Sequence, residues 1–196
     1  MKVIGITGGV GAGKSEVLDY LHERYGATII KADDIGKKLQ KKGGICFQAI
    51  VDHFGEAILN EKGELNRSKL AEIIFKDEKE LAAVNNMVHP AVKDEILKKI
   101  KQEERKDTNL VLVESAVLNQ VAYQDFCDEV WYIHVGESAR KQRLMYNRGY
   151  SAEKVEDIMA SQMSKSDYLA NSDRVIDNTD NFEETKAQLD KIITEF

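Results

Sequence analysis

The chain has 196 residues, 42% of them hydrophobic and 32% charged, which is enough for one α/β domain with a real core and a helical insertion. Lysine and arginine total 28 against 34 acidic residues, a formal charge of −6, which argues against broad non-specific binding of nucleic acid. No apolar run is long enough to span a membrane, and glycines from Gly8 onward interrupt the N-terminal one, so neither a membrane span nor a signal peptide is expected.

In chain order, Lys2-Val3-Ile4-Gly5-Ile6-Thr7 is apolar and β-branched and predicts a buried strand. Gly8-Gly9-Val10-Gly11-Ala12-Gly13-Lys14-Ser15 follows and matches G-x-x-x-x-G-K-[ST], the phosphate-binding loop pattern. After it, Val17, Leu18 and Leu21 recur at helical spacing. Strand, loop and helix therefore fall where the chemistry needs them. Glycines let the backbone wrap a phosphate, consecutive N–H groups form an anion nest, and the helix adds the positive end of its dipole. Lys14 is expected to stay exposed until it reaches the β- and γ-phosphates, and the Ser15 hydroxyl to ligate Mg²⁺.

Residues 27–30 predict a second strand, ending at Lys31-Ala32-Asp33-Asp34. In open parallel sheets, ligands bind outside the carboxyl ends of the strands. A lysine-rich helix is expected over 35–42. Residues 43–106 contain no convincing strand. Helices are expected over 46–54, 68–75 and 78–88, a turn at 60–64, and a further helix from Pro90, in its first turn, to about 104. This stretch reads as a helical insertion of the lid or substrate-holding kind. The sheet resumes at 109–115, whose apolar run is that of a central parallel strand. Then come a helix over 119–126, a strand over 129–135 and a helix from Ser138 carrying Arg140 and Arg143, with Arg148 in the turn after it. Ser151 is expected to cap a helix running to about 164. A short strand over 174–178 and a C-terminal helix over 182–196 complete the pattern. Cys46 and Cys127 fall in no metal or redox spacing, which suits reduced thiols in the cytoplasm.

Several side chains carry possible chemistry. A phosphate loop holds a donor but activates no acceptor, and an acceptor hydroxyl needs a carboxylate to orient it and take its proton. Asp33 and Asp34 stand at the right strand end for that, and equally well as helix caps. Glu114 closes the central strand, where it would hold Mg²⁺ through water or contact the acceptor, or simply be a polar strand end. Arg140 and Arg143 share a helix face and would close over a triphosphate, or form a solvated basic face. His89 alone reads as a helix-end or core histidine, and Trp131 and Tyr132 read as core.

Over nearly its whole length the chain resembles the dephospho-coenzyme A kinases. The resemblance rests on Gly5 through Ser15, Ala32-Asp33, Leu65-Asn66-Arg67-Ser68-Lys69-Leu70, His89-Pro90-Ala91-Val92, Gln142-Arg143-Leu144-Met145, Gln162-Met163 and Val175-Ile176-Asp177-Asn178. It implies transfer of the ATP γ-phosphate to the ribose 3′-hydroxyl of dephospho-coenzyme A. It implies Asp33 as general base, with Lys14 and Arg143, the lid arginine, as the other catalytic groups. Gly9, Val10, Gly11, Ala12, Gly13, Lys14, Ser15, Arg143 and Asn178 would bind ATP, Asn178 at the adenine, and Asp33, Arg67, His89 and Glu114 the acceptor. Two positions depart from the family pattern. Ser115-Ala116-Val117-Leu118-Asn119 stands where many members have Pro-Leu-Leu-Phe-Glu, so Glu114 or Asn119 would take the glutamate's role. The usual position of the second lid arginine is Asn147, with Arg148 beside it.

The expected fold is α/β, a P-loop, nucleoside-monophosphate-kinase-like five-stranded parallel sheet with helices on both faces. The whole chain, 1–196, forms one kinase domain, with 43–106 the helical substrate-binding insertion and about 138–165 the lid. The expected function is ATP- and Mg²⁺-dependent phosphorylation of dephospho-coenzyme A by a cytoplasmic monomer that uses neither nucleic acid nor membrane. The rivals are a P-loop kinase for another acceptor, such as a nucleoside monophosphate or shikimate, and a non-catalytic nucleotide-binding module. A GTP-binding switch is disfavoured because the chain lacks an Asn-Lys-x-Asp motif.

Overall fold

A computed structural model describes residues 1–115 and 123–196. Its elements in order are β1 (Lys2–Thr7), α1 (Lys14–Tyr25), β2 (Thr28–Lys31), α2 (Ala32–Leu39), α3 (Ile45–Phe54), α4 (Arg67–Lys76), α5 (Glu78–Glu104), β3 (Leu110–Glu114), β4 (Glu129–His134), α6 (Glu137–Arg148), α7 (Ala152–Ala160), α8 (Lys165–Ala170), β5 (Arg174–Asp177) and α9 (Phe182–Ile193). The strands form one five-stranded parallel sheet in the order β2-β3-β1-β4-β5.

The alternation along each strand decides what covers the sheet. Ile4 and Ile6 of β1, Leu112 of β3, Trp131 and Ile133 of β4 and Ile176 of β5 share a core with Val17, Leu18 and Leu21 of α1 and Leu189 of α9. Trp131 lies fully buried there, donates its indole N–H to the Glu129 carboxylate at 2.9 Å and stacks on Phe196. Tyr132, one residue along, points to the other face and stacks on Tyr168 of α8, with ring centroids 4.7 Å apart and planes within 5°. Helices thus cover both faces, which is why the strands read as near-continuous apolar runs.

The chain forms two compact units, Met1–Ile30 with Gln102–Phe196, and Lys31–Lys101. Within the second, α5 buries Val84, Val88, Val92 and Ile96, a stripe repeating every four residues. Two helices broken near Pro90 are expected from the sequence, but α5 is continuous and Pro90 lies inside it. An interior proline costs about 3 kcal/mol through its missing N–H and its clash with the preceding turn. The four aliphatic side chains, each worth about 1.5–3 kcal/mol when buried, lie on both sides of it and outweigh that. Pro90→Ala restores the bond to the Asn86 carbonyl and should stabilise the protein by about 1–3 kcal/mol, read as a higher urea midpoint with an unchanged slope.

Other boundaries also move. The helix expected from residue 35 begins at Ala32, with Asp33 and Asp34 in its first turn, where carboxylates complement the positive helix end. α6 runs through Arg148, expected in the turn after it, and ends at Gly149 in the left-handed region. The helix opened by Ser151 stops at Ala160. A new one starts after Ser164, whose hydroxyl accepts from the Asp167 N–H while Asp167 pairs back, a capping box the sequence reading missed. The first half of the helix expected over 119–126 lies outside the described residues, and in the described half Tyr123–Asp125 is a 3₁₀ turn.

Candidate phosphate-binding site

β1 delivers the chain into the loop Gly8–Gly13, and α1 begins at Lys14. Gly13 caps α1 at φ 85°, in the left-handed region, and a Cβ there would collide with the Asn178 amide. Asn178 is fully buried just past β5. Its Nδ2 donates to the Ala12 carbonyl at 2.9 Å, and its Oδ1 accepts from the Thr185 hydroxyl at 2.9 Å. The residue that resemblance assigns to the adenine therefore also fixes the loop's trailing end to α9.

A cavity of about 590 Å³ opens along the loop, and Lys14, Ser15, Glu114, Arg143, Arg148 and Asn178 are among the residues lining it. Ser15 is exposed there. Lys14 departs from expectation, since its side chain is only 11% exposed. Its Nζ donates to the Gly8 carbonyl at 2.8 Å and lies 3.9 Å from Glu114 Oε1. Strand register explains the pairing, because Ile6, just before the loop, lies beside Glu114 on β3. Arg143 Nη2 donates to the Thr179 carbonyl at 3.2 Å, which holds the guanidinium at the cavity wall. Asn147 and Arg148, the two positions in question for a second arginine, both line the cavity.

The hold on the loop's outer side has no local signature. Arg140 Nε donates to the Val10 carbonyl at 2.8 Å, and Gln162 Oε1 accepts from the Val10 N–H at 3.2 Å. Arg140, read from the sequence as a triphosphate ligand or a solvated charge, is instead bonded to the loop backbone. Partners 130 residues apart leave no local signal.

Asp33, Arg67 and His89 all belong to the second unit. Asp33 is exposed in the first turn, and the helix cap is Lys31, not an aspartate. Arg67 opens α4 behind the N-cap Asn66, and its Nη2 donates to the Lys37 carbonyl of α2 at 3.2 Å. His89 is half-buried on α5 between Val88 and Val92, against which Gly36 of α2 packs. Burial pushes the His89 imidazole below its ordinary pKa and favours the neutral ring. No cluster of three or more histidine, cysteine or acidic side chains suited to a metal occurs among the described residues.

A parallel α/β sheet whose first strand feeds a glycine nest and a Lys-Ser helix start defines a P-loop kinase. The dephospho-CoA kinase family model matches residues 2–184, and the chain belongs to that family. It is 37% identical over 189 residues to the dephospho-CoA kinase of Streptococcus mutans, covering 96% of this chain and 94% of that one. It is 34% identical over 195 residues to that of Aquifex aeolicus, covering 100% and 97%. The solved dephospho-CoA kinase from Campylobacter jejuni shares the fold, with a TM-score of 0.72 at 23% identity, over 100% of this chain and 97% of that one.

Proposed function

We propose that this protein transfers the γ-phosphoryl group of ATP to the ribose 3′-hydroxyl of dephospho-coenzyme A, giving coenzyme A and ADP. The observation that carries the reading is the family match along residues 2–184, with the phosphate loop opening onto a cavity that Lys14, Ser15 and Arg143 line. The acceptor oxygen forms its bond to the γ-phosphorus as the bond to the ADP oxygen breaks. Asp33 takes the hydroxyl proton, and Lys14 and Arg143 stabilise charge on the transferring group. Arg67 and His89 bind the acceptor, with 43–106 as the substrate-binding insertion and about 138–165 as the lid. Glu114 stands in for the family's glutamate. Asn119, the other candidate, lies outside the described residues.

The donor set fits magnesium. Three carboxylates in the cavity lining, Glu16, Glu114 and Asp180, balance the cations Lys14, Arg143 and Arg148. Neutralising a triphosphate therefore falls to the loop amides and a divalent ion. Ser15 would ligate Mg²⁺ directly and Glu114 through water, with phosphate oxygens completing a hard oxygen shell. When bound, the ion would supply positive charge against that developing on the transferring group.

No helix among the described residues is long and apolar enough to cross a membrane. Cys127 is half-buried and its thiol is pushed up to about 12, chiefly by burial, which disfavours the reactive thiolate and fits a reduced thiol. We take the protein as a cytoplasmic monomer, which sedimentation would check.

The test is an acceptor panel with purified protein and Mg-ATP. Dephospho-coenzyme A should release ADP in equal amount to coenzyme A formed, shikimate and nucleoside monophosphates should release none, and chelation with EDTA should abolish turnover. ADP release without acceptor, or with shikimate alone, would overturn the reading.

A further inference from the structure

Val10, at the crest of the loop, has both backbone groups taken by side chains. Its carbonyl accepts from Arg140 of α6, and its N–H donates to Gln162 Oε1 in the α7–α8 linker. Arg140 Nη2 donates to that same Oε1, so the two side chains also bind each other. Gly9 marks the close approach, because a Cβ there would sit 2.7 Å from Gln162 Oε1 and against the Arg140 guanidinium. The linker is itself anchored, by the capping box at Ser164 and by buried Tyr168 stacked on Tyr132. Neither Arg140 nor Gln162 lines the cavity.

A glycine-rich loop samples many conformations, and its amides bind phosphate well only when they converge before the anion arrives. Holding the peptide units on both sides of Val10 removes freedom next to Gly11. The geometry points to Arg140 and Gln162 as a single positioning clamp, which sets the loop's shape and so its grip on the triphosphate without touching nucleotide. This rests on the proposed use of the loop as the ATP site. A neutral glutamine suits the task, since it satisfies an N–H and an arginine while adding no negative charge beside the phosphates.

The experiment uses the full chain as wild type, Arg140→Ala, Gln162→Ala, Gln162→Met and the Arg140→Ala/Gln162→Ala double variant. Gln162→Met keeps the bulk and removes only the acceptor, so it reports on the clamp if the alanine variant folds poorly. Calorimetric titration with Mg-ADP gives the nucleotide affinity. Steady-state kinetics give KM for ATP and for dephospho-coenzyme A, and a thermal melt gives stability. Each single variant should weaken ADP and raise KM for ATP about tenfold, as expected for a lost bond to a charged group. KM for dephospho-coenzyme A should stay within about twofold. Removing either half opens the same clamp, so the double variant should lose no more than about twentyfold. Additive losses of about a hundredfold would show that Arg140 meets the phosphates itself and would overturn the clamp. So would unchanged ADP affinity in Gln162→Met, or equal losses for both substrates that track a lowered melting temperature. A wild type that fails to bind Mg-ADP would overturn the ATP reading as well, whereas a wild type that binds, with variants to match, would sink the clamp alone.

Discussion

Asp33→Asn should lower phosphoryl transfer by ~10²–10⁴-fold while ATP affinity stays within a few fold, because the amide keeps the shape of the side chain but could not accept the hydroxyl proton from the acceptor. Stability gives the contrast. Asp33 is not the cap of α2 and makes only a first-turn contribution to the helix dipole, about 0.3–1 kcal/mol, so its melt should shift little. Asp34 is the control at the next position. It is exposed, and its Oδ1 lies 3.2 Å from Lys37 Nζ, a surface pair worth at most about 1 kcal/mol. Asp34→Asn should leave turnover largely intact. The reverse pattern, with Asp34 essential and Asp33 dispensable, would assign the base to the wrong carboxylate. Full activity in both variants would move the role to Glu114.

Lys14→Ala should cut transfer severely in a protein that remains folded. One charge-assisted contact to the transferring phosphate is worth about 2–4 kcal/mol in the transition state, or ~30–1000-fold in rate. The ammonium already lies inside the loop, bonded to Gly8 and close to Glu114. ATP thus meets a cation held in place rather than one drawn from solvent. The alanine variant also leaves the Glu114 carboxylate facing the incoming phosphates, so ATP affinity should fall along with kcat. Near-wild-type turnover would remove the loop from the mechanism.

Some of this molecule is written locally and some is not. The loop could be read from eight residues, because a phosphate nest demands glycines and a Lys-Ser helix start in one short stretch. The strands showed as apolar runs because both faces of the sheet are covered. Pro90 misled because the rule that proline ends a helix is local, whereas the valines that carry α5 through it act by packing across several turns. Lys14 misled because its pairing depends on the register of β1 against β3, which joins residues 100 apart in the chain. Strand-end position brought forward Asp33 and Asp34 together, and only the family resemblance chose between them and lifted Arg67 and His89 from the bland reading. Arg140 and Gln162 were visible as residues but not as partners, since their shared contact with Val10 exists only in the folded chain.

The single tryptophan makes the protein its own optical probe. Trp131 sits in the middle strands of the sheet with no exposed surface, its indole N–H tied to Glu129 and its ring against Phe196 near the chain's end. Its emission should be blue-shifted in the native state and move to the red only when the sheet opens. Nucleotide binding, on the far side of the loop glycines, should leave it dark to titration. Intrinsic fluorescence would therefore follow folding of the first unit free of interference from ligand, and loss of the terminal aromatic ring would register in the spectrum before the sheet gives way.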